Sequence, residues 1–442
     1  MKNVLIVAYY FPPSGGPGVQ RVLKHVKYLP EFGWQPIVLT VSNGQFPARD
    51  ESLLKQVPDS VIVKRSHIYE PYDIYRKLTG RKPGTAIDVN VIKKDSQKVG
   101  FKDKLAEFIR ATFFIPDARI GWRLSAGKAI KEIRKEYKLD AVYSSSPPYT
   151  CSMIARSVKR VTGLPWVAGF RDPWRGFISA PKRWFLPEMV DIKMEKSVFS
   201  EADAVECAWE GIIKDALGKY PLLNPEKFHH VPNGYDSSDF PEVEQKRNDK
   251  FTLTYTGSLY GRRNPASLFK AVQLLIDRKE IDPAELHLRF VGRFGAEVEE
   301  MFENASFKSS VETIGYVTHG ESIEFLLRSD ALLLIVDESK ESNEIVPGKV
   351  YEYIGVLKPI LAIAPPKSAI AKLIRETRGG LVAHQSEVEK TADIIKDYYN
   401  QWISGASTFD PDLEAVKSYE RRESSKKLAQ LLDKFSEGKQ SK

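Results

Sequence analysis

The order of the apolar segments predicts an α/β protein with two doubly wound domains in tandem. Continuous apolar runs alternate with amphipathic helical patterns from residue 3 to about residue 208, and the alternation starts again at residue 251. Such alternation is typical of parallel sheets covered by helices. A charged run over residues 242–250 separates the two sets and is typical of an exposed linker. The length of 442 residues allows two or three domains.

Composition and cysteine content indicate an ordinary globular protein of a reducing compartment. Hydrophobic residues make up 42% of the chain and charged residues 28%, which is enough apolar material for large cores. Cys151 and Cys207 are the only cysteines, so a disulfide framework is excluded. The apolar N-terminal run is too short for a secretion signal, and no apolar run approaches the ~20 residues that cross a bilayer. We therefore expect a soluble or peripheral protein.

Positive charge is concentrated in one region of the chain. The net charge is +8, and residues 76–138 contain 17 Lys and Arg against 7 Asp and Glu. Such a region could bind nucleic acid, anionic lipid or an anionic substrate, or it could be a solvated face. Within it, Phe101, Leu105 and Phe108 recur at helical spacing beside lysines. This basic amphipathic helix could lie on an anionic membrane, but its apolar face could equally pack onto the sheet.

The first domain opens with a strand, a turn-rich loop, a helix and a second strand. The strands are predicted at Asn3–Phe11 and Gln35–Thr40. The loop contains Gly15 and Gly16 and lies at the carboxyl end of a strand, where open α/β sheets bind ligands. These glycines would let the backbone approach a phosphate, although a tight turn without a ligand explains them equally well. The loop matches neither the dinucleotide fingerprint nor the P-loop.

A charged pair follows a later strand of the first domain. Arg171 and Asp172 come after the predicted strand Pro165–Phe170, so they lie either in a site at the sheet edge or in a local ion pair. His229 and His230 are adjacent, which is not a metal-ligand spacing, and we predict no metal there. Further strands are predicted at Ala141–Ser145 and Asp203–Ala208, with helices at Tyr149–Arg160 and Pro187–Phe199.

The second domain repeats the pattern and has arginines near the end of its first strand. This predicted strand, Phe251–Leu259, leads to Arg262 and Arg263, which suit phosphate oxygens. A basic amphipathic helix at about 413–435 and a disordered tail close the chain. The cleft between two such domains is the default ligand site. Further strands are predicted at Leu286–Val291, Val311–Tyr316, Ala331–Val336, Pro359–Ala364 and Gly380–Ala383.

The segment from Glu344 to residue 354 predicts an anion site at a helix start. Pro347 suits the first helical position, and the N–H groups of Gly348 and Lys349 would then lie at the positive end of the helix dipole. Lys349 adds a formal charge, while Glu344 and Glu352 could accept hydrogen bonds from sugar hydroxyls. The alternative is an ordinary amphipathic helix with its glutamates in water.

Short motifs in a fixed order give the chain a family resemblance over nearly its whole length. It resembles the retaining nucleotide-sugar glycosyltransferases of the GT-B fold, the large group that includes sucrose synthase-like and bacterial envelope-polysaccharide enzymes. The motifs are YYFPPSGGPGVQR, SSSPP, GFRDPW and VPNGYDSSDF, followed by YTGSL, FVG, IGYV and the segment with the two glutamates.

The resemblance implies two Rossmann-like domains that face each other across a cleft. Residues 1–240 would form the acceptor-binding domain, joined by a C-terminal helix at about 413–435 that crosses back to it. Residues 241–412 would bind the nucleotide sugar, and residues 436–442 would form a disordered tail.

The resemblance also implies donor-binding roles in the second domain. Glu352 matches the family glutamate that holds the ribose hydroxyls of the donor, and Glu344 matches the one that contacts the donor sugar. Arg262 or Arg263, together with Lys349, would neutralise the diphosphate. Many members have Gly-Phe-Gly after the first glutamate, where this chain has Ile-Val-Pro.

Further roles follow from the same motifs. The backbone near Val317 would contact the base, and Gly15 and Gly16 would lie against the phosphates or the transferred sugar. Many members carry a histidine where this chain has Arg171 and Asp172, so acceptor contact is assigned to Asp172.

The function implied by the resemblance is transfer of a hexosyl group from a nucleoside-diphosphate sugar to a hydroxyl acceptor with retention. No metal or further cofactor is expected, and no nucleic acid partner. The acceptor would be a saccharide or lipid-linked saccharide of the cell envelope, handled in the cytoplasm or at the inner face of the membrane. Two alternatives stay open: a nucleotide-sugar epimerase of the same fold, and a non-catalytic protein that binds nucleic acid or a membrane surface.

Overall fold

The computed structural model describes residues 1–46, 48–69, 101–176, 182–244, 246–338 and 344–437; of residue 17 and residues 101–106 it describes the backbone alone. The chain divides into two compact units. The first unit comprises Met1–Pro232 together with Arg421–Lys442, and the second comprises Asn233–Glu420.

The first unit contains a parallel sheet of seven strands in the order β3-β2-β1-β4-β5-β6-β7. The strand order reverses between β1 and β4, which pair in parallel. Loops at such a reversal, beyond the carboxyl ends of the strands, are the usual ligand site of open α/β sheets. The strands are β1 Lys2–Ala8, β2 Trp34–Val41, β3 Ile62–Ser66, β4 Ala141–Ser146, β5 Trp166–Phe170, β6 Ala204–Cys207 and β7 Phe228–His230.

Helices cover both faces of this sheet, because each central strand is buried on both sides and presents apolar residues in both directions. The helices of the first unit are α1 Pro17–Tyr28, α2 Phe101–Phe113, α3 Trp122–Glu136, α4 Thr150–Thr162, α5 Phe185–Glu201 and α6 Glu210–Lys219, with α14 Arg421–Glu437 from the end of the chain.

The second unit contains a parallel sheet of six strands in the order β10-β9-β8-β11-β12-β13, with its reversal between β8 and β11. It too has an apolar core on each face. Its strands are β8 Phe251–Thr256, β9 Leu286–Val291, β10 Val311–Ile314, β11 Ala331–Ile335, β12 Ile360–Ile363 and β13 Gly380–Ala383. Its helices are α7 Ala266–Asp277, α8 Ala296–Glu303, α9 His319–Leu327, α10 Gly348–Gly355, α11 Ala369–Glu376, α12 Val388–Ser404 and α13 Leu413–Lys417.

The structure confirms the predicted α/β class with two Rossmann-like units. Each strand predicted from the sequence is present, with ends that differ by up to three residues. The sequence analysis missed two strands at the edges of the first sheet. These are β3 and β7, which carry Lys64 and Arg65, and His229 and His230, and so lack an apolar run.

The end of the chain differs from the single helix predicted at 413–435. The structure has two helices, α13 and α14, separated at residues 418–420. The backbone N–H of Tyr235 donates to the carbonyl of Tyr419 at 3.2 Å, which pairs the break with an earlier segment. Gly234 permits this approach, because a Cβ there would lie 1.9 Å from the Tyr419 oxygen. The final helix completes the first unit and includes residues 436 and 437 of the tail predicted at 436–442, while residues 438–442 lie outside the described residues.

The final helix closes one apolar core of the first unit. Leu428 and Leu432 of α14 are buried in the same cluster as Val22 and Val26 of α1. These four side chains are at most 1% exposed, so the helix is an integral part of the core.

A buried polar cluster lies where the chain leaves and re-enters the first unit. Arg21 of α1 donates to Glu206 of β6 at 2.7 Å, and both side chains are buried. Arg21 also donates to the carbonyls of Val231 at 2.7 Å and Pro232 at 3.2 Å, at the end of the first segment of this unit. Tyr143 donates its hydroxyl to the other oxygen of Glu206 at 2.6 Å.

The same cluster extends to the final helix. Nδ1 of His25 lies 3.0 Å from the hydroxyl of Ser425, and Nε2 lies 3.5 Å from Glu206. Burial alone would raise the pKa of Glu206, but Arg21 and the surrounding donors outweigh it and lower the pKa to about 2. Burial also lowers the pKa of His25, so this imidazole is neutral at pH 7.

No helix within the described ranges is both long and apolar enough to cross a membrane.

Candidate functional site

Two of the predicted donor-site residues of the second unit, Arg263 and Lys349, lie at the reversal of its sheet. The loop after β8 carries Arg263, and the chain after β11 carries Asp337 and leads into α10. A guanidinium nitrogen of Arg263 lies 3.6 Å from a carboxylate oxygen of Asp337. The carboxyl ends of β8 and β11 are therefore joined by side chains at the place where this fold class binds ligands.

Lys349, in the first turn of α10, reaches back across this edge. Its ammonium donates to the hydroxyl of Tyr255 at 3.1 Å and to the carbonyl of Thr256 at 3.1 Å. It also lies 4.3 Å from the centre of the Tyr255 ring. Burial of the ammonium, reinforced by the neighbouring charge of Arg263, lowers the pKa of Lys349 to about 7. Near pH 7, Lys349 is therefore only partly protonated in the ligand-free protein. A bound anion would favour its charged form.

Arg263 is the arginine that the structure places beside Lys349. Its Nε is buried and has no hydrogen-bond partner in the part of the chain that the structure describes. A buried donor without a partner is costly, and a ligand oxygen would satisfy it. Arg262, the other predicted diphosphate ligand, is exposed. The geometry favours Arg263 over Arg262 for contact with a diphosphate.

Two glycines let the strand ends of this site approach each other. Gly292, after β9, has a φ of +145°, and a Cβ there would lie 2.0 Å from the carbonyl oxygen of Gly257. A Cβ on Gly257 would in turn lie 3.0 Å from the Lys349 ammonium. These contacts give a physical reason for the glycines in the TGSL and FVG motifs.

The start of α10 differs by one residue from the prediction. Pro347 is the residue before the helix, with an extended ψ of 148°, and the first helical residue is Gly348. The carbonyl of Pro347 accepts the N–H of Val350 at 3.0 Å, which closes the first turn. The N–H groups of Gly348 and Lys349 precede this bond at the positive end of the helix, as the anion hypothesis requires.

The two glutamates of the motif have different surroundings. Glu344 is exposed and lies before α10, whereas Glu352 lies within the helix and is partly buried. Glu352 is 3.8 Å from His319, the first residue of α9. Val317, the residue predicted to face the base, is partly buried two positions before His319. The structure therefore brings Glu352 to the loop after β10 and leaves Glu344 in solvent.

His319 was missed by the sequence analysis. The signal that locates it is the capping box at the start of α9, in which the Thr318 and Glu321 side chains bond each other's backbone N–H groups. A threonine followed three residues later by glutamate fixes where that helix begins, and hence which residue opens it.

In the first unit, Gly15 and Gly16 occupy the loop between β1 and α1. The N–H of Gly15 donates to the carbonyl of Ala48 at 2.9 Å, so this group is already used within the protein. Gly16 has a φ of +87° and directly precedes α1, and among the described residues a Cβ there would meet no atom within 4 Å. Of the two, Gly16 is the one with open space beside it.

Arg171 and Asp172 follow β5, which neighbours β4 in the sheet, and they differ in role. The Arg171 guanidinium donates to the carbonyls of Gly18 and Pro147, and so connects the first turn of α1 with the loop after β4. Asp172 is partly buried, and burial raises the pKa of its carboxyl although Arg171 opposes the shift. Arg171 is thus a structural brace, and contact of Asp172 with an acceptor stays a prediction.

No group of three or more His, Cys, Asp and Glu side chains within the described ranges is arranged to hold a metal ion.

Comparison with known proteins agrees with the resemblance seen in the motifs. Residues 236–410 match the family model for glycosyl transferases group 1. This segment lies inside the second unit and contains the Lys349, Arg263 and Glu352 cluster. No curated protein matches the chain by sequence.

Solved structures share the fold over nearly the whole chain. HepE of Anabaena, in complex with UDP and glucose, has a TM-score of 0.56 at 12% identity and covers 98% of this chain and 100% of its own. The lipopolysaccharide outer core galactosyltransferase WaaB has a TM-score of 0.55 at 11% identity, with 97% and 99% coverage. TarM has a TM-score of 0.55 at 10% identity, with 98% and 99% coverage. The predicted resemblance to glycosyltransferases of the GT-B fold is confirmed, and none of these matches supports the epimerase alternative.

Proposed function

From the group 1 glycosyl transferase match of residues 236–410, we propose that this chain transfers a hexosyl group from a nucleoside-diphosphate sugar to a hydroxyl acceptor, with retention at the anomeric carbon. The observation that carries the proposal is that Lys349 and Arg263 lie beside each other at the sheet reversal of the second unit. Two cations beside a helix start form a site for a diphosphate.

The diphosphate is assigned to Lys349, Arg263 and the N–H groups at the start of α10. Glu352 accepts hydrogen bonds from the ribose hydroxyls, and the base lies against the backbone near Val317. The His319 imidazole lies 3.8 Å from Glu352, at the start of α9. This arrangement supports binding of the nucleotide by the partly buried residues Lys349, Arg263 and Glu352.

The difficult step is departure of the diphosphate from the anomeric carbon. The bond from that carbon to the diphosphate oxygen breaks, and its electron pair goes to the leaving group, where Lys349 and Arg263 stabilise the growing negative charge. The acceptor oxygen bonds to the carbon on the same face, and its proton passes to the leaving phosphate oxygen. In this scheme the side-chain cations serve the leaving group, so the proposed transfer needs no metal.

The remaining predicted residues act on the sugars. Asp172 of the first unit is assigned to the acceptor hydroxyl, and Glu344 to the donor sugar. Gly16, with open space beside it, would lie against the phosphates or the transferred sugar. We propose as acceptor a saccharide or lipid-linked saccharide of the cell envelope, consistent with the lipopolysaccharide named for WaaB, with the reaction in the cytoplasm.

A thermal-shift panel of UDP-, GDP- and ADP-sugars tests the proposal first, because a ligand of the native state raises the midpoint. The stabilising donor is then incubated with and without saccharide acceptors. We expect a glycoside of unchanged anomeric configuration when acceptor is present. A rearranged nucleotide sugar formed from donor alone would indicate the epimerase, and a chain that no nucleotide sugar stabilises would contradict the proposal.

Donor affinity is expected to fall as the pH rises above about 7. The pKa of Lys349 is about 7 in the ligand-free protein, and a bound diphosphate raises it, so binding above this pH requires uptake of a proton. The affinity should weaken by up to about tenfold per pH unit there and be nearly constant below it. Calorimetry in buffers of different ionisation enthalpy measures the proton uptake.

The ligand for this measurement should be an intact nucleotide sugar, whose diphosphate is esterified at both ends and does not titrate near neutrality. Lys349→Met removes the titrating group, so its affinity should be weak at all pH values and independent of pH over this range. An unchanged pH profile in that variant would show that another group takes up the proton.

A further inference from the structure

Helix α5 has an unusual distribution of its side chains between core and solvent. Its carboxylates Asp191 and Glu195 are 4% and 0% exposed, whereas Phe185 and Leu186 in its first turn are 73% and 55% exposed. Surface helices normally bury the apolar side and expose the charged side. The exposed apolar residues of α5 therefore require another explanation.

The buried carboxylates explain the inner face. Asp191 accepts hydrogen bonds from Trp174 and Arg183, each at 2.8 Å. Glu195 accepts the hydroxyl of Tyr220 at 2.7 Å. These contacts fix the rotation of the helix about its axis. Its apolar residues therefore face outward in the folded protein.

The outward stripe of α5 is apolar near its start and basic further along. Leu186, Met189 and Val190 are succeeded at helical spacing by Lys193 and Lys196, all exposed. Glu188, a carboxylate in the same turns of the helix, accepts a hydrogen bond from Arg175 at 3.0 Å. The stripe thus combines apolar insertion with positive charge.

The end of α2 extends this surface. The indole N–H of Trp184 donates to the hydroxyl of Thr112 at 2.9 Å, which places the start of α5 beside α2. Phe108 and Phe113 of α2 are exposed, as is Trp184 itself. We call this surface the α2–α5 face; it consists of Phe108, Phe113, Trp184, Phe185, Leu186, Met189 and Val190.

The α2–α5 face concentrates exposed apolar side chains. Among the described residues, 7 of 19 exposed large hydrophobic side chains belong to it. Isolated exposed apolar residues are normal, but a contiguous group of this size marks an interaction surface.

We propose that the α2–α5 face binds the surface of an anionic membrane. The aromatic and aliphatic side chains enter the boundary between headgroups and acyl chains, where tryptophan is favoured. Lys182, Lys193 and Lys196 flank the apolar residues and pair with anionic lipid headgroups. The positive charge of these lysines is complementary to an anionic lipid surface, so we assign lipid and not a second copy of the chain to this face.

This surface is assembled by two helices and differs from the single basic helix considered from the sequence. Residues 70–100 of the basic region lie outside the described residues and take no part in the argument. Membrane binding requires neither the sugar donor nor the acceptor. The membrane proposal can therefore be wrong while the proposed transfer is right, and the transfer can be wrong while the membrane proposal is right.

Co-sedimentation with vesicles of phosphatidylcholine, with and without phosphatidylglycerol, tests the proposal. The full chain is expected to bind the vesicles that contain phosphatidylglycerol. The variant Phe185→Gln/Leu186→Gln/Met189→Gln should bind them at least about tenfold more weakly, because three inserted side chains are lost. Its thermal midpoint and nucleotide-sugar binding should match those of the unmodified chain, since these positions are exposed.

A matched control places the same substitutions elsewhere on the first unit. Leu124→Gln/Val161→Gln/Leu222→Gln changes three side chains that are 78%, 77% and 97% exposed but lie outside the α2–α5 face, and it should bind vesicles as before. Lys193→Gln/Lys196→Gln should weaken binding to phosphatidylglycerol vesicles by about fivefold per lysine.

Three results would overturn the proposal. One is failure of the unmodified chain to bind phosphatidylglycerol vesicles. Another is an equal loss of binding in the face variant and the control variant. The third is a dimer in solution, measured by light scattering, that the face variant dissociates, because the α2–α5 face would then be a subunit interface.

Discussion

Replacing Arg21 with methionine is expected to lower the free energy of unfolding by about 3–5 kcal/mol, because the substitution leaves Glu206 buried without its partner. For a unit of the size of the first one, the thermal midpoint should fall by roughly 5–10 °C. The guanidinium also donates to the Val231 and Pro232 carbonyls, which would lose those donors. Urea and thermal unfolding of the purified chain measure the effect.

The pH dependence identifies the cause of the loss. In the unmodified chain the pKa of Glu206 is lowered to about 2, so its stabilising contribution is complete above about pH 4.5 and is lost as the pH falls towards 2. Without Arg21, burial dominates and the pKa rises above the ordinary value. The variant should then lose stability as the pH rises above about 4.5, whereas the unmodified chain gains stability as the pH rises from about 2 to 4.5.

Two further variants provide the controls. Arg21→Met/Glu206→Gln removes both charges and should recover much of the loss, because no carboxylate remains buried alone. Arg160→Met breaks the pair with Glu201 on the surface, where the arginine side chain is 58% exposed, and should cost less than about 1 kcal/mol. An equal loss in the Arg21 and Arg160 variants would contradict the assigned role of burial.

Replacing Lys349 with methionine is expected to weaken nucleotide-sugar binding by about 10- to 100-fold and to slow turnover by about 100- to 1,000-fold. The larger effect on turnover follows because the charge on the diphosphate grows as the sugar departs. The ligand-free variant should nevertheless be at least as stable as the unmodified chain at pH 7. The lowered pKa shows that burial penalises the ammonium of Lys349, and methionine has no charge to bury.

The sign of the stability effect follows from the same pKa. Between about pH 7 and the ordinary lysine value of 10.5, the unfolded chain binds more protons at this position than the folded chain. The unmodified protein should therefore gain stability as the pH rises through this window, and the variant should lack that gain. Below pH 7 the penalty on the charged form is present in full.

Lys358→Met is the matched control for Lys349. Lys358 is another partly buried lysine of the second unit, and burial lowers its pKa as well. It lies before β12, at the amino end of the strand, away from the carboxyl ends that carry the proposed site. Donor affinity and turnover should be unchanged in this variant. If both lysine variants lose activity equally, the role of Lys349 is structural and the proposed diphosphate site is wrong.

Much of the fold could be predicted because strands buried on both faces leave continuous apolar runs. Leu286–Val291 and Gly380–Ala383 were predicted with the ends that the structure has. The edge strands β3 and β7 could not be predicted, because basic residues and histidines interrupt their apolar character. The break between α13 and α14 depends on backbone pairing with Tyr235, a long-range contact that helical periodicity does not reveal.

The part of the candidate site that follows from the order of strands, loops and helices along the chain was predictable. The loop after β8 carries the arginine pair, and α10, the helix after β11, carries the lysine that the sequence indicated. The choice between Arg262 and Arg263 depends on which side chain turns towards Lys349, and neighbouring residues give no information on this. The cluster of Arg21, Glu206 and His25 was missed because Glu206 is far in sequence from the other two, and each residue is ordinary in its local pattern.

The return of the chain to the first unit at Arg421 has a consequence for the order of folding during synthesis. Asn233–Glu420 is one continuous segment, so the second unit depends on no residue that is made after it. The first unit, although it is made first, waits for α14 to cover Val22 and Val26 and to bring Ser425 to His25. A nascent chain that stalls before Arg421 would leave Val22 and Val26 of the first unit uncovered. A ribosome-associated chaperone would be needed longest at this apolar surface.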